Sequence, residues 1–164
     1  MVIKFNFAIL FIALLAINTA ATGQTCKVVA ITDGDTVKVH CDGQDMQIIR
    51  LSEIDSPEKK QAFGQKSKEA LSDICYLKPV IVKPLTVDRY GRTVARLNCA
   101  GVDANAAMVK AGMAWTYTKY QTDTAFTQFE LDARTARRGL WVDLGSKSPP
   151  VAPWIWRKLP KDER

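Results

Sequence analysis

The chain has 164 residues, a formal net charge of +6, four cysteines and a single histidine. That length supports one domain with a real core and excludes two full ones. The modest positive charge is compatible with nucleic acid, an anionic surface or neither, and no C-x-x-C knuckle argues for zinc.

Met1-Val2-Ile3-Lys4 is a short positive start, and Phe5 to Ile17 is almost unbroken apolar sequence, followed by the small residues Thr19-Ala20-Ala21-Thr22-Gly23. This pattern predicts a secretory signal peptide over 1–23 that is removed, leaving no membrane segment in the mature protein. The mature chain then carries all four cysteines, an even number in an oxidising compartment, which implies two disulfides. Export places the protein in a periplasm or outside the cell.

Thr25 to Ile31 and Thr36 to Cys41 form a predicted hairpin around a two-residue Asp33-Gly34 turn. With that turn and no bulge, Cys26 and Cys41 face each other, and Cys75 pairs with Cys99 by elimination. Asp42-Gly43-Gln44 turns the chain into a third strand, Met46 to Leu51. Asp55-Ser56-Pro57-Glu58 has the composition of a helix start, and Phe63, Ala70, Leu71, Ile74 and Cys75 mark one apolar helical face. Pro79 to Leu85 and Arg92 to Asn98 make a second hairpin around Asp88-Arg89-Tyr90-Gly91. Asp103 caps a short helix from Ala104 to Lys110, which Gly112 ends. A longer helix is predicted from about Thr124 to Arg138, with Gly139 as its stop. The tail after Trp141 carries Pro149, Pro150, Pro153 and Pro160 and runs along the surface, pinned by Trp154 and Trp156.

The order βββ-α-ββ-α-α predicts an α+β fold: a five-stranded OB-fold Greek-key β-barrel with three α-helices outside. The expected divisions are 1–23 signal peptide, 24–143 globular domain and 144–164 tail.

The chemistry concentrates between Asp33 and Glu58. Asp35 and Asp55 offer hard carboxylate oxygens and Ser56 a backbone carbonyl, a set suited to Ca²⁺ or Mg²⁺ rather than zinc. So few protein ligands leave room for water and a substrate phosphate. Glu58 is placed to orient or deprotonate water, with Arg50 and Arg92 as two-pronged phosphate donors. The lone histidine, His40, gives no support to a Ser-His-Asp mechanism. Each feature has a plainer use: Asp33-Gly34-Asp35 as a turn, Asp55 and Glu58 as a helix cap.

In series, Asp33-Gly34-Asp35-Thr36, Arg50-Leu51, Ile54-Asp55-Ser56-Pro57-Glu58, Asp88-Arg89-Tyr90-Gly91-Arg92 and Gly112-Met113-Ala114 resemble the thermonuclease family, typified by staphylococcal nuclease. The resemblance covers about Lys27 to Trp141. It implies an OB-fold and a calcium-dependent phosphodiesterase that acts on DNA and RNA and leaves 3′-phosphates. It implies Asp35, Asp55 and the Ser56 carbonyl as calcium ligands, Glu58 as general base, and Arg50 and Arg92 as catalytic arginines. Tyr90 and Arg89 match the nucleotide-binding pocket, and Tyr117 and Tyr120 are candidates for base stacking. Ser56 stands where the type member has Thr, Arg89 where it has Lys, and the four cysteines are absent from it. The expectation is therefore an exported, monomeric, Ca²⁺-dependent nuclease of little sequence specificity. A non-catalytic OB module gripping single strands is the alternative.

Overall fold

The structure is a computed structural model that describes residues 26–164; the expected signal peptide over 1–23 lies outside the described residues. The elements are β1 (Cys26–Ile31), β2 (Thr36–Cys41), β3 (Gln47–Leu51), β4 (Ile54–Asp55), α1 (Gly64–Cys75), β5 (Val80–Val87), β6 (Thr93–Cys99), β7 (Val102–Asp103), α2 (Ala104–Lys110), β8 (Trp115–Thr116), α3 (Ala125–Thr135) and α4 (Pro153–Trp156). The fold is α+β, as expected from the element order.

One mixed sheet runs β1-β2-β3-β6-β5 with β7 on β6, and β4 pairs with β8 in a separate two-stranded sheet. Isolated bridges from Lys27 to Pro79 and from Val28 to Tyr76 bring the two edges of the main sheet together. The described residues thus hold six strands in the main sheet, two outside it and four α-helices, more pieces than the five strands and three helices expected. The extra pieces are two-residue strands and the four-residue α4, too short to leave a periodic trace in sequence.

Alternation explains the core. Along β2, Val37, Val39 and Cys41 point inward while Lys38 and His40 point out. They meet Ile49, Leu51, Ile54, Leu71, Leu97 and Met108 in one buried cluster. Disulfides join Cys26 to Cys41 and Cys75 to Cys99, the second tying the end of α1 to the end of β6.

The first pairing was reached through two compensating differences. The β1–β2 turn is wider than two residues: Thr32 N–H donates to the Thr36 carbonyl, and Asp35 N–H donates to Asp33 Oδ1 within the loop. An irregularity between Val28 and Ala30 then shifts the register back, so that Cys26 still faces Cys41. Asp33-Gly34-Asp35 therefore makes an open loop, whose Gly34 packs so closely on Ser56 that a Cβ there would lie 2.8 Å from the serine Cβ.

Asp55-Ser56-Pro57-Glu58 does not start a helix. Asp55 sits in β4 opposite Trp115, and α1 begins only at Gly64. The Asp55 carboxylate faces the guanidinium groups of Arg50 and Arg157 rather than the N–H groups of a first turn. The long helix also ends sooner than expected, at Thr135, because Arg137 already takes a left-handed conformation (φ 49°).

The pairing that matters most for the site is the parallel one between β3 and β6. It sets Ile49 beside Thr93 and Arg50 beside Val94, carrying Arg50 and Arg92 to the same end of the sheet. On the other side Thr36 pairs with Arg50, which places Asp35 at that end too.

Candidate active site

Every noncysteine candidate borders one cleft of about 900 Å³: Asp35, Arg50, Asp55, Ser56, Glu58, Arg89, Tyr90, Arg92, Tyr117 and Tyr120. Its floor is a buried ion cluster. Arg50 Nη2 lies 3.0 Å from Asp55 Oδ1 and 3.3 Å from Asp35 Oδ2, bridging the two carboxylates. Arg50 Nη1 donates to the Leu51 and Ile54 carbonyls at 2.6 and 2.9 Å, which fixes the guanidinium plane. Asp35 Oδ2 also accepts from the Ser56 N–H at 2.9 Å, and Oδ1 from the Thr36 hydroxyl at 3.0 Å. Three strands and the turn after β4 thus converge on one point.

Burial pushes the Asp55 carboxyl above its ordinary value, against the pull of Arg157 and Arg50. Burial, reinforced by repulsion from Asp35, raises Asp33 to about 6. Both shifts have the same first cause, burial, which disfavours the charged carboxylate.

Glu58 stands at the rim, half exposed, in a turn closed by Gln61: Gln61 N–H donates to the Glu58 carbonyl, and Glu58 N–H to Gln61 Oε1 at 3.1 Å. Arg92 lines the same cleft but its guanidinium is held by Asp88 at 2.7 Å, not by the Asp35–Asp55 pair. Tyr90 is largely exposed beside it, with the Arg89 guanidinium over its ring at 4.8 Å and donating to its hydroxyl. Tyr117 and Tyr120 meet edge to face at 4.9 Å.

Asp35, Asp55 and the Ser56 carbonyl are hard oxygen donors with no histidine or thiolate beside them, and the buried Ser56 hydroxyl has no hydrogen-bond partner. A hard divalent cation fits these donors. Among the described residues no group of three or more His, Cys, Asp or Glu side chains is arranged to hold a metal. Water and substrate would therefore complete the shell.

Residues 48–143 match the family described as "Staphylococcal nuclease homologue". The chain belongs to the staphylococcal nuclease family. It is 42% identical to a Haemophilus influenzae protein named "Uncharacterized endonuclease", over 95% of this chain and 88% of that one. It is 40% identical to a Shigella flexneri "Micrococcal nuclease", over 83% of this chain and 82% of that one. A plant relative, the Arabidopsis thaliana "Staphylococcal-like nuclease CAN1", is 40% identical over 67% of this chain and 33% of its own length.

One residue of this family member's cleft was missed from sequence. Arg157, from the tail, donates to Asp55 Oδ2 at 2.6 Å, to Asp55 Oδ1 at 3.3 Å and to Glu58 Oε1 at 2.7 Å. Burial works against its charge, but Asp55 and Glu58 outweigh that and hold the guanidinium more firmly protonated. It stands 102 positions from Asp55, so no spacing rule connects them. The available signal was indirect: the tryptophans expected to pin the tail. Trp154 does so, stacking on Tyr117 at 5.3 Å with planes 2° apart, and Val151 accepts from Gln61 Nε2. The same stack covers one face of Tyr117, a residue expected to stack on bases.

Glu53 and Thr122, which also line the cleft, belong to a second network that sequence reading overlooked. Glu53 accepts from the Thr122 and Asp123 N–H groups and the Thr122 hydroxyl, and pairs with Arg96 at 2.6 Å. Burial raises its pKa, but these donors outweigh it and leave the carboxyl below its usual range.

Proposed function

We propose that the protein is an exported, Ca²⁺-dependent nuclease that hydrolyses phosphodiester bonds of DNA and RNA with little sequence specificity, leaving 3′-phosphates. The observation that carries this reading is the meeting of Asp35 and Asp55 on Arg50 at the floor of a cleft whose rim holds Glu58. Family membership supports the reaction class. The catalytic unit spans 24–143 after removal of the signal peptide, the tail 144–164 adds a wall, and the enzyme works as a monomer. The two disulfides accord with export.

Asp35, Asp55 and the Ser56 carbonyl would hold the cation, which would supply Lewis-acid polarisation of the phosphate. Glu58 takes a proton from the attacking water as its oxygen bonds to phosphorus and the bond to the 5′ oxygen breaks. That oxygen takes a proton from solvent water as it leaves, and the phosphate stays on the 3′ side. Arg50, its plane set by the Leu51 and Ile54 carbonyls, and Arg92, kept at the cleft wall by Asp88, donate to oxygens where charge builds. Tyr90 and Arg89 contact the nucleotide, and Tyr120 offers an exposed ring for stacking.

The test is incubation of the mature protein with plasmid DNA and with RNA, in Ca²⁺ or in EDTA, beside Glu58→Gln. Cleavage that EDTA stops and Glu58→Gln lowers by about 10²–10⁴ is expected. A variant that folds and cuts at the normal rate removes Glu58 from the mechanism, and cutting unaffected by EDTA removes the cation.

A further inference from the structure

Beside the cleft, and sharing Glu58 and Arg157 with it, lies a second groove of about 380 Å³ lined also by Lys59, Lys60, Trp156, Lys161 and Arg164. Five cations face one carboxylate there, and that carboxylate is already paired with Arg157. Asp162 and Glu163 belong to the same turn as Lys161 but do not line the groove. Like charges gathered this closely repel one another, and an anionic ligand relieves the repulsion.

Both walls are anchored. One is the turn after Glu58, held by buried Gln61, whose side chain accepts from the Glu58 N–H and donates to the Val151 carbonyl. The other is the tail, fixed by buried Ala152 and Pro153 and by Trp154 packed on Tyr117 and Trp115. Trp156, half-buried, adds an aromatic surface among the cations.

We propose that this groove is a second nucleic-acid subsite, holding the single strand where it leaves the cleft. The proposal rests on the nuclease reading and extends it. Cations spaced along a groove with an interposed ring are the chemistry that tracks a phosphate backbone and stacks its bases. Continuity through Glu58 and Arg157 selects a strand already in the cleft over an anionic membrane surface.

The test uses the full mature chain, Lys161→Ala/Arg164→Ala and Trp156→Ala. Fluorescence anisotropy in EDTA measures binding of labelled single strands of about four and about 20 nucleotides; cleavage of both is then followed in Ca²⁺. The double variant is expected to bind the long strand roughly tenfold more weakly, with a salt slope smaller by about 1.4, or ~0.7 for each lost phosphate contact. Binding of the short strand and kcat should not change. Trp156→Ala should weaken the long strand by roughly fivefold or more. Long-strand affinity and salt slope equal to wild type, in a wild type that cuts, overturn the subsite alone. Loss of binding to anionic phospholipid vesicles with strand binding intact overturns it in favour of a membrane surface. A wild type that neither binds nor cuts nucleic acid overturns the nuclease reading as well.

Discussion

Replacing Glu53 by Gln removes one charge from a buried carboxylate and little else. Oε1 accepts three hydrogen bonds, from Thr122 N at 2.7 Å, Thr122 Oγ1 at 2.8 Å and Asp123 N at 2.8 Å, while Oε2 accepts from Arg96 Nε at 2.7 Å. A glutamine oxygen can keep the first three, but its NH₂ then points at the guanidinium, donor against donor. Breaking a fully buried ion pair costs about 3–5 kcal/mol. Arg96 is about a quarter exposed and keeps Asp123 at 3.1 Å and Asp103 at 3.4 Å, which places the expected loss nearer 2–3 kcal/mol. The sign of the pH dependence follows from the lowered pKa in the folded state. On acidification the unfolded chain takes up the proton first, so the stabilisation is complete above the unfolded-state value and fades as pH falls through the folded one. Urea unfolding of both proteins at pH 7 and near pH 3 checks this, with m-values compared to confirm two-state behaviour. A gap below about 1 kcal/mol at pH 7, or a gap that persists undiminished in acid, refutes the reasoning.

Arg157→Gln frees Asp55 and Glu58 from a half-exposed guanidinium, so calcium binding measured by titration calorimetry should tighten by roughly fivefold, the equivalent of about 1 kcal/mol. Gly64→Ala would set a Cβ against the Glu58 carbonyl; it should cost about 1–3 kcal/mol in urea unfolding and lower cleavage by displacing Glu58. Cys75→Ser/Cys99→Ser opens a loop of sequence separation 24 and should lower stability by about 3 kcal/mol, measured by thermal unfolding.

The β1–β2–β3 meander, the β5–β6 hairpin and the Asp103 cap were legible because each depends on local patterning or on turn chemistry; the Cys26–Cys41 pairing came out right only because the wider turn and the register shift cancel, and Cys75–Cys99 followed by elimination. Asp103 does accept from the Ala106 N–H at 3.0 Å. What was not legible depends on partners distant in sequence. Asp55 and Glu58 have a helix-start composition, and only guanidinium groups arriving from elsewhere claim Asp55 and hold it in β4. Asn105 looks like an ordinary residue of α2, yet it is fully buried, accepting from the Leu97 N–H and donating to the Ser52 carbonyl. Glu53 carries no signal in sequence, because its partners Thr122 and Asp123 lie about 70 positions away. In each case local composition is satisfied twice over, and tertiary contacts choose between the uses.

The segment that matches the family, residues 48–143, contains Arg50, Asp55, Glu58 and Arg92 but stops short of the site at both ends. Asp35 precedes it, delivered by pairing of Thr36 with Arg50; Arg157 follows it, delivered by Trp154 against Tyr117. A buried aspartate cluster is costly without compensating positive charge, and within the matched segment Arg50 is shared between Asp35 and Asp55. The tail brings the second guanidinium that makes the balance possible. The same charge that steadies these carboxylates lies where, on the proposed function, a cation and a phosphate backbone would enter. Stability of the unliganded cleft and affinity for its ligands are thereby set against each other through one side chain.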